Sequence, residues 1–312
     1  MPKIMIINFI KNILIRLFNS YIKLIFTIVD FHKKNTFFKR QYLSKEFCHT
    51  AITADFQLFS GAYESYILLS RDLTISQEVY INGEFGFSTF LKVINILGPN
   101  FIINNFIDVG ANIGTISIPV VKRGYAKKAY CFEPSPINYS MLNANLAINN
   151  LLDKVSTYNL ALGDSSNKDL IFELSDNNSG DHRIRVNEKN GNYNELNRAT
   201  IIVKSDRLDN LLPDLCDRDS TLVWIDTQGY EGFILKGSQN ILKNQIPVVV
   251  ELWPYGLERA GCFNDFKESC LNYNSYYNLS DLNPQKVSLN SETFDHLYNM
   301  YQNTDATDIL LL

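Results

Sequence analysis

The 312-residue sequence has few histidines and no paired cysteines. His32, His49, His182 and His296 lie far apart, and Cys48, Cys131, Cys216, Cys262 and Cys270 show no C-x-x-C spacing. A local zinc signature is excluded, so no metal site is expected. An odd, scattered set of cysteines fits a reducing compartment better than a disulfide framework, which makes a cytoplasmic location the expectation. No apolar run reaches the ~18 residues of a membrane span. Lys11, Arg16 and Lys23 interrupt the N-terminal stretch, and no small-x-small cleavage site follows it. The net charge of −4 carries no overall signature of nucleic-acid binding, and none is expected.

What is present begins with an uneven charge. Residues 1–40 carry +7 and the remainder −11, which points to an N-terminal arm with its own partner. We place this basic helical arm at 1–45 and the main domain at 46–312. At ~100° per residue, Asn8, Asn12, Arg16, Asn19, Lys23 and Asp30 share one arc, opposite Ile6, Ile10, Ile13, Leu17, Leu24 and Ile28. Two readings of residues 4–30 stay open. One is a peripheral membrane contact. The other is a helix packed on its own domain or on a second copy, giving a homo-oligomer.

From residue 102 strands and helices alternate. Strands are expected at 102–109, at "KAYCFEP", at "KVSTYNLAL", at "TLVWID", at "IPVVVELW" and in the terminal "DILLL". Helices are expected over 113–123, from Pro136 to about 149, and over 231–242. Such alternation implies βαβ units and a mainly parallel sheet. Between 164 and 200 the pattern lapses into a polar stretch, expected to be a long functional or mobile loop.

The first of these strands ends in "DVGANIG". A P-loop needs G-x-x-x-x-G-K-[ST], and here Gly110 to Gly114 is one residue too short and no lysine follows. A dinucleotide fingerprint needs G-x-G-x-x-G, and its second and third positions are Asn112 and Thr115. What remains is an acid closing the strand, Asp108, and a tight turn through Gly110 and Gly114. An acid there suits the ammonium of an amino acid tail. Glu133 ends the next strand, and a carboxylate in that place accepts both hydroxyls of an unphosphorylated ribose. Amino acid tail, ribose and adenine together describe S-adenosylmethionine.

The sequence resembles the FkbM-type methyltransferases. The resemblance runs through "FIDVGANIGT", "CFEPSPINYSMLNANLAIN", "NLALGD", "LVWIDTQGYEGFILKGSQNIL", "PVVVELWPYG" and "DILLL", over about 80–312. It implies a class I Rossmann-like α/β fold, a seven-stranded, mainly parallel sheet with an antiparallel last strand. It implies that Asp108, Gly110, Asn112 and Gly114 hold the methionine part, that Glu133 meets the ribose, and that Asp164 lies near adenine. It implies O-methylation of a hydroxyl on a sugar, glycan or secondary metabolite. The sequence departs from the family pattern at Gln228, where an acid is common, and at Trp224, where a lysine is common.

Removing the acceptor's proton calls for a base. Asp226 closes a strand, Glu251 sits among apolar residues where an unpaired acid is expensive, and His182 carries an imidazole suited to neutral pH. These three are the catalytic candidates. Arg183 in the polar stretch, Glu231 and Trp253 are candidates for holding the acceptor, Trp253 as a stacking wall. Two other readings stand beside this one. An NAD-type oxidoreductase is disfavoured by the glycine spacing. A non-catalytic cofactor-binding or membrane-associated scaffold is weighed against by the intact cofactor-side residues.

Overall fold

A computed structural model describes residues 35–50, 54–215, 217–302 and 305–312. The chain divides into two compact units, Met1–Thr53 and Ala54–Leu312. In the first, residues 35–50 are helical (α1). The amphipathic pattern over 4–30 lies outside the described residues. No helix among the described residues is long and apolar enough to cross a membrane.

The second unit opens with a hairpin, β1 (Phe56–Ser60) and β2 (Ser65–Leu69), followed by α2 (Ile75–Asn82) and α3 (Phe87–Leu97). The alternating region then runs β3 (Ile103–Val109), α4 (Ser117–Lys122), β4 (Ala126–Phe132), α5 (Pro136–Ile148), β5 (Val155–Tyr158). Three strands, β6 (Ala161–Leu162), β7 (Lys168–Glu173) and β8 (Arg183–Ile184), precede β9 (Thr200–Asp206) and α6 (Leu208–Leu211). The chain returns through β10 (Thr221–Ile225), α7 (Glu231–Lys236), α8 (Gln239–Lys243), β11 (Val248–Leu252), α9 (Pro254–Ala260) and α10 (Phe263–Cys270). It closes with β12 (Ser275–Asn278), β13 (Val287–Ser288), α11 (Ser291–Met300) and β14 (Thr307–Leu311).

The main sheet has the order β13-β12-β14-β11-β10-β3-β4-β5. The run β11-β10-β3-β4-β5 is parallel. β14 is antiparallel to both β11 and β12. Seven of these strands follow the expected class I arrangement, and the eighth, β13, is a two-residue edge strand on β12. Strand order reverses between β3 and β10, so the carboxyl ends of β3, β4 and β10 open a crevice there. Both faces of the sheet are covered, as a parallel sheet requires. Ile107, Val109, Val223, Ile225, Val248 and Val250 pack on one side against Ile234, Leu235, Phe266 and Phe294. On the other side Phe106, Phe90, Tyr125 and Trp224 form an aromatic layer with ring centroids 5.4–6.5 Å apart. Each such fully buried aliphatic or Phe side chain contributes about 1.5–3 kcal/mol.

Along the chain path three expectations change. The helix after the first glycine turn begins at Ser117, because Asn112 (φ 51°) and Gly114 (φ 90°) hold left-handed conformations that interrupt a helix. "KVSTYNLAL" makes two strands in two sheets, β5 and β6. Between them, Asn159 donates to the carbonyls of Glu133 (2.8 Å) and Pro134 (3.2 Å). The helix expected over 231–242 breaks at Gly237. A Cβ on that residue would lie 1.9 Å from the Gly163 carbonyl oxygen.

The polar stretch from 164 is mostly loop, as expected, but strands β7 and β8 lie within it. β7 and β9 pair antiparallel over six residues and join β6 and β8 in a second, four-stranded sheet. Elsewhere asparagines replace strand partners. Asn145 on α5 and Asn149 at its C-terminal cap exchange hydrogen bonds with the backbone of Ile67 and Ser65, which satisfies the free edge of β2.

Candidate active site

Gly110 sets the geometry of the crevice. Its φ of 88° turns the chain sharply after β3, and a Cβ there would lie 1.9 Å from the Asp226 carbonyl oxygen. Only glycine lets the ends of β3 and β10 approach this closely. The amides of Gly110 and Ala111 donate to the Phe132 carbonyl (2.9 and 3.1 Å), and the Asn112 amide donates to Glu133 Oε2 (2.8 Å). The Ser135 amide donates to Glu133 Oε1 (2.8 Å). Glu133 is thus held by a backbone donor on each oxygen and retains lone pairs toward the cleft. Burial pushes its pKa up to about 7, against the pull of those amides. The same amide bond disfavours a dinucleotide, since the turn's N–H that would meet a pyrophosphate is already given to a carboxylate.

The cleft beside Glu133 is walled by apolar side chains, among them Phe132, Leu160, Leu162, Phe172, Tyr230 and Ile234. This is a slot for a flat, apolar-faced group next to a diol acceptor, and it fits an adenosine. Asp164, expected near adenine, stands outside this lining. It accepts from Ser165 Oγ (2.8 Å) and faces Lys236 at 4.0 Å. Gly114 packs under the turn, where a Cβ would meet Ile118 and Leu142 at 2.7–2.9 Å.

Asp108 lies at the end of β3 and is 2% exposed. Ser117 Oγ donates to it, and Cys131 Sγ donates in turn to Ser117 Oγ (3.0 Å). Burial, with Asp226 adding repulsion, raises its pKa to about 7. It opens on a chamber also lined by Trp224, Asp226, Glu251 and Asp308. Glu251 and Asp308 are cross-strand partners on β11 and β14. Burial raises Asp226 and Glu251, with repulsion adding to the latter, and lifts Asp308 to about 7. Asp226 is open to the cleft yet deep below the surrounding protein. So many acids together do not all ionise at neutral pH, and they titrate as a set.

Glu231 does other work. Fully buried, it accepts from the Thr227 amide (2.8 Å), Thr227 Oγ1 (2.9 Å) and the Gly229 amide (3.0 Å), clamping the turn that carries Gln228. Gln228 (φ 59°) donates through Nε2 to Asp226 Oδ1 (2.8 Å) and Glu251 Oε2 (3.2 Å).

A polar groove adjoins this point. Gln228, Glu251, Trp253, Tyr193, Asp181 and Arg198 line it. Arg183 does not, being 4% exposed and packed over Trp253 at 4.9 Å while pairing with Asp181 and Glu173. His182 lines the cofactor cleft. Its Nδ1 accepts from the Ser175 amide (2.9 Å), and burial holds its pKa down at about 4. A neutral imidazole bonded in this way carries its proton on Nε2 and offers a donor.

Ser179 and Asp72, neither of them a candidate site residue from the sequence, also shape the site. The Ser179 carbonyl accepts from Asn112 Nδ2 (2.9 Å) and Asn138 Nδ2 (3.1 Å), and Ser179 Oγ donates to Asp72 Oδ2 (2.6 Å). Asp72 also accepts the amides of Thr74, Ile75 and Ser76 at 3.0–3.2 Å. The signal for Asp72 was an acid shortly before a helical pattern, in "DLTIS".

The methyltransferase FkbM domain family matches residues 108–294. A protein named methyltransferase sdnD, from Sordaria araneosa, is 30% identical over 234 residues, 66% of this chain and 86% of its own length. Among solved structures, an FkbM methyltransferase from Methylobacillus flagellatus is similar at 13% identity and a TM-score of 0.42. That likeness covers 89% of this chain but 59% of the other, so the chain spans less than two thirds of that protein. M. jannaschii TYW2, solved in complex with AdoMet, is similar at 12% identity over 83% of this chain and 85% of its own, with a TM-score of 0.37. The domain match and the Sordaria relative settle the family: this chain belongs to the FkbM methyltransferases, with S-adenosylmethionine as its methyl donor.

Proposed function

We propose that the protein methylates a hydroxyl group on a sugar, glycan or secondary metabolite. When bound, S-adenosylmethionine supplies an electrophilic methyl on a sulfonium, with a good neutral leaving group. The residues present would bind it in three parts. Glu133 would accept from the ribose hydroxyls, the apolar slot of Phe132, Leu160 and Leu162 would hold adenine, and Asp108 would face the ammonium end. The protein's main contribution is then orientation and exclusion of water, worth up to roughly 7–11 kcal/mol.

The observation that carries the acceptor assignment is the junction at Asp226, Gln228 and Glu251. Asp226 lines both the cleft and the chamber, Glu251 the chamber and the groove, and Gln228 the cleft and the groove. An acceptor hydroxyl entering along Trp253 and Tyr193 meets Asp226 Oδ2, and we assign the proton to that atom. Raised above the ordinary carboxylate range, Asp226 is a stronger base than a solvated one when ionised. The groove's aromatic wall and amide-rich rim suit a polyhydroxylated ligand.

Labelled methyl transfer to a panel of sugars and hydroxylated metabolites tests this. Asp226→Asn is expected to lower kcat by roughly 10²–10⁴-fold while leaving S-adenosylhomocysteine binding within about tenfold. Label appearing on nitrogen or carbon, or an unimpaired Asp226→Asn enzyme, would refute the O-methyltransferase reading.

A further inference from the structure

Gln228 has a fixed backbone and a side chain with two obligations. Glu231 holds the amides on either side of it, those of Thr227 and Gly229. Its Nε2 lies 2.8 Å from Asp226 Oδ1 and 3.2 Å from Glu251 Oε2. With the NH2 end toward both acids, the amide donates one hydrogen to each ionised carboxylate. Both amide hydrogens are spent, and Oε1 is what remains for the acceptor. We propose that Gln228 is a positioning residue for methyl transfer: its amide ties the carboxylate of the cofactor cleft, Asp226, to the carboxylate of the acceptor groove, Glu251. This rests on the reading of Asp226 as the proton acceptor.

The surroundings explain why an amide does this. Asp108 on β3, Glu231 on α7 and Asp308 on β14 face the pair with like charge. Across the groove stand Asp176, Asp181 and Arg198, and across the cleft His182. Arg198 is bonded to Asp181 through both its side chain and its carbonyl. His182 is neutral. A neutral donor holds two acids together without adding a charge of its own, and it favours their ionised forms. An acid at position 228 would repel both, and a residue without the donor would leave Asp226 to be protonated at higher pH.

Titration of carboxyl carbons by NMR in the full chain tests this and needs neither cofactor nor acceptor, so failure of the methyltransferase reading would not be mistaken for failure here. The Asp226 signal is identified by its loss in Asp226→Asn. Gln228→Gly keeps the left-handed turn and removes the amide. In that variant Asp226 is expected to titrate about one pH unit higher than in the wild type. In Gln228→Glu, which nearly preserves shape, it is expected to titrate higher still. The glycine variant should melt near the wild-type temperature, separating the donor's role from that of the turn. An unchanged Asp226 titration in Gln228→Gly would overturn the proposal. Should that variant unfold, an unchanged titration in Gln228→Glu would do the same.

Discussion

The two walls of the active site are built by different means. On the cofactor side, backbone amides aim at Glu133, glycines permit close approach, and apolar side chains line a slot. On the side proposed for the acceptor, an ion network that joins the second sheet, the loops beside it and α9 lies behind the groove of Trp253 and Tyr193. Glu173 faces Arg183, Arg185 and Arg198, and Glu195 accepts from Tyr255 (2.5 Å) and faces Arg259 (3.4 Å). The first wall depends on a few residues close in sequence that leave no room for change. The second distributes its hold over many pairs joined across long stretches of chain. A fixed cofactor and a variable acceptor would ask for that division.

Substitution should break the first wall far more easily. Gly110→Ala places a methyl against the Asp226 carbonyl at a φ that side chains rarely adopt. It should cost about 3 kcal/mol or more and weaken S-adenosylhomocysteine binding by over ~100-fold, seen by melting and calorimetry.

Next in size is the response to pH. Asp108, Glu133, Glu231 and Asp308 have folded pKa values of about 7, above their ordinary values of 3.8 or 4.5. The folded state therefore holds their protons more tightly than the unfolded state does. Their contribution to stability is fully present below the ordinary values and is lost as pH rises through 7. The ligand-free protein should melt several degrees lower at pH 8 than at pH 5. A melting temperature that rises over that range would show that these acids are not buried as described.

The smallest effect belongs to the second wall. Tyr255→Phe removes one bond to Glu195, with an expected cost of about 1–2 kcal/mol. It should raise KM for the acceptor while leaving cofactor binding unchanged within roughly twofold. A large loss of cofactor affinity would erase the distinction between the walls.

The same contrast governs what could be read from the sequence. The strand end at Asp108, the turn through Gly110 and Gly114 and the next strand end at Glu133 were legible because they lie within one βαβ unit, where spacing fixes their relation; Asn112 was marked by the family resemblance. The alternating strands of the main sheet were legible for the same reason. The second sheet was not. β7 pairs with β9 some thirty residues away, and the intervening Asn- and Gly-rich stretch masks strands only two to seven residues long. Asp164, expected near adenine, stays outside the cleft lining, where it accepts from Ser165 and faces Lys236. Gln228 looked like the loss of a carboxylate. Its role emerged only when β10 and β11 placed two acids beside it.

Calorimetric titration with S-adenosylhomocysteine, comparing wild type with Glu133→Gln, tests the central claim most directly. Glu133 is expected to carry two charge-assisted hydrogen bonds to the ribose, so micromolar binding in the wild type should weaken by roughly 100-fold in the variant, with the fold intact. Absence of binding to the wild type, or equal affinity in both, would contradict the placement of the cofactor in this cleft.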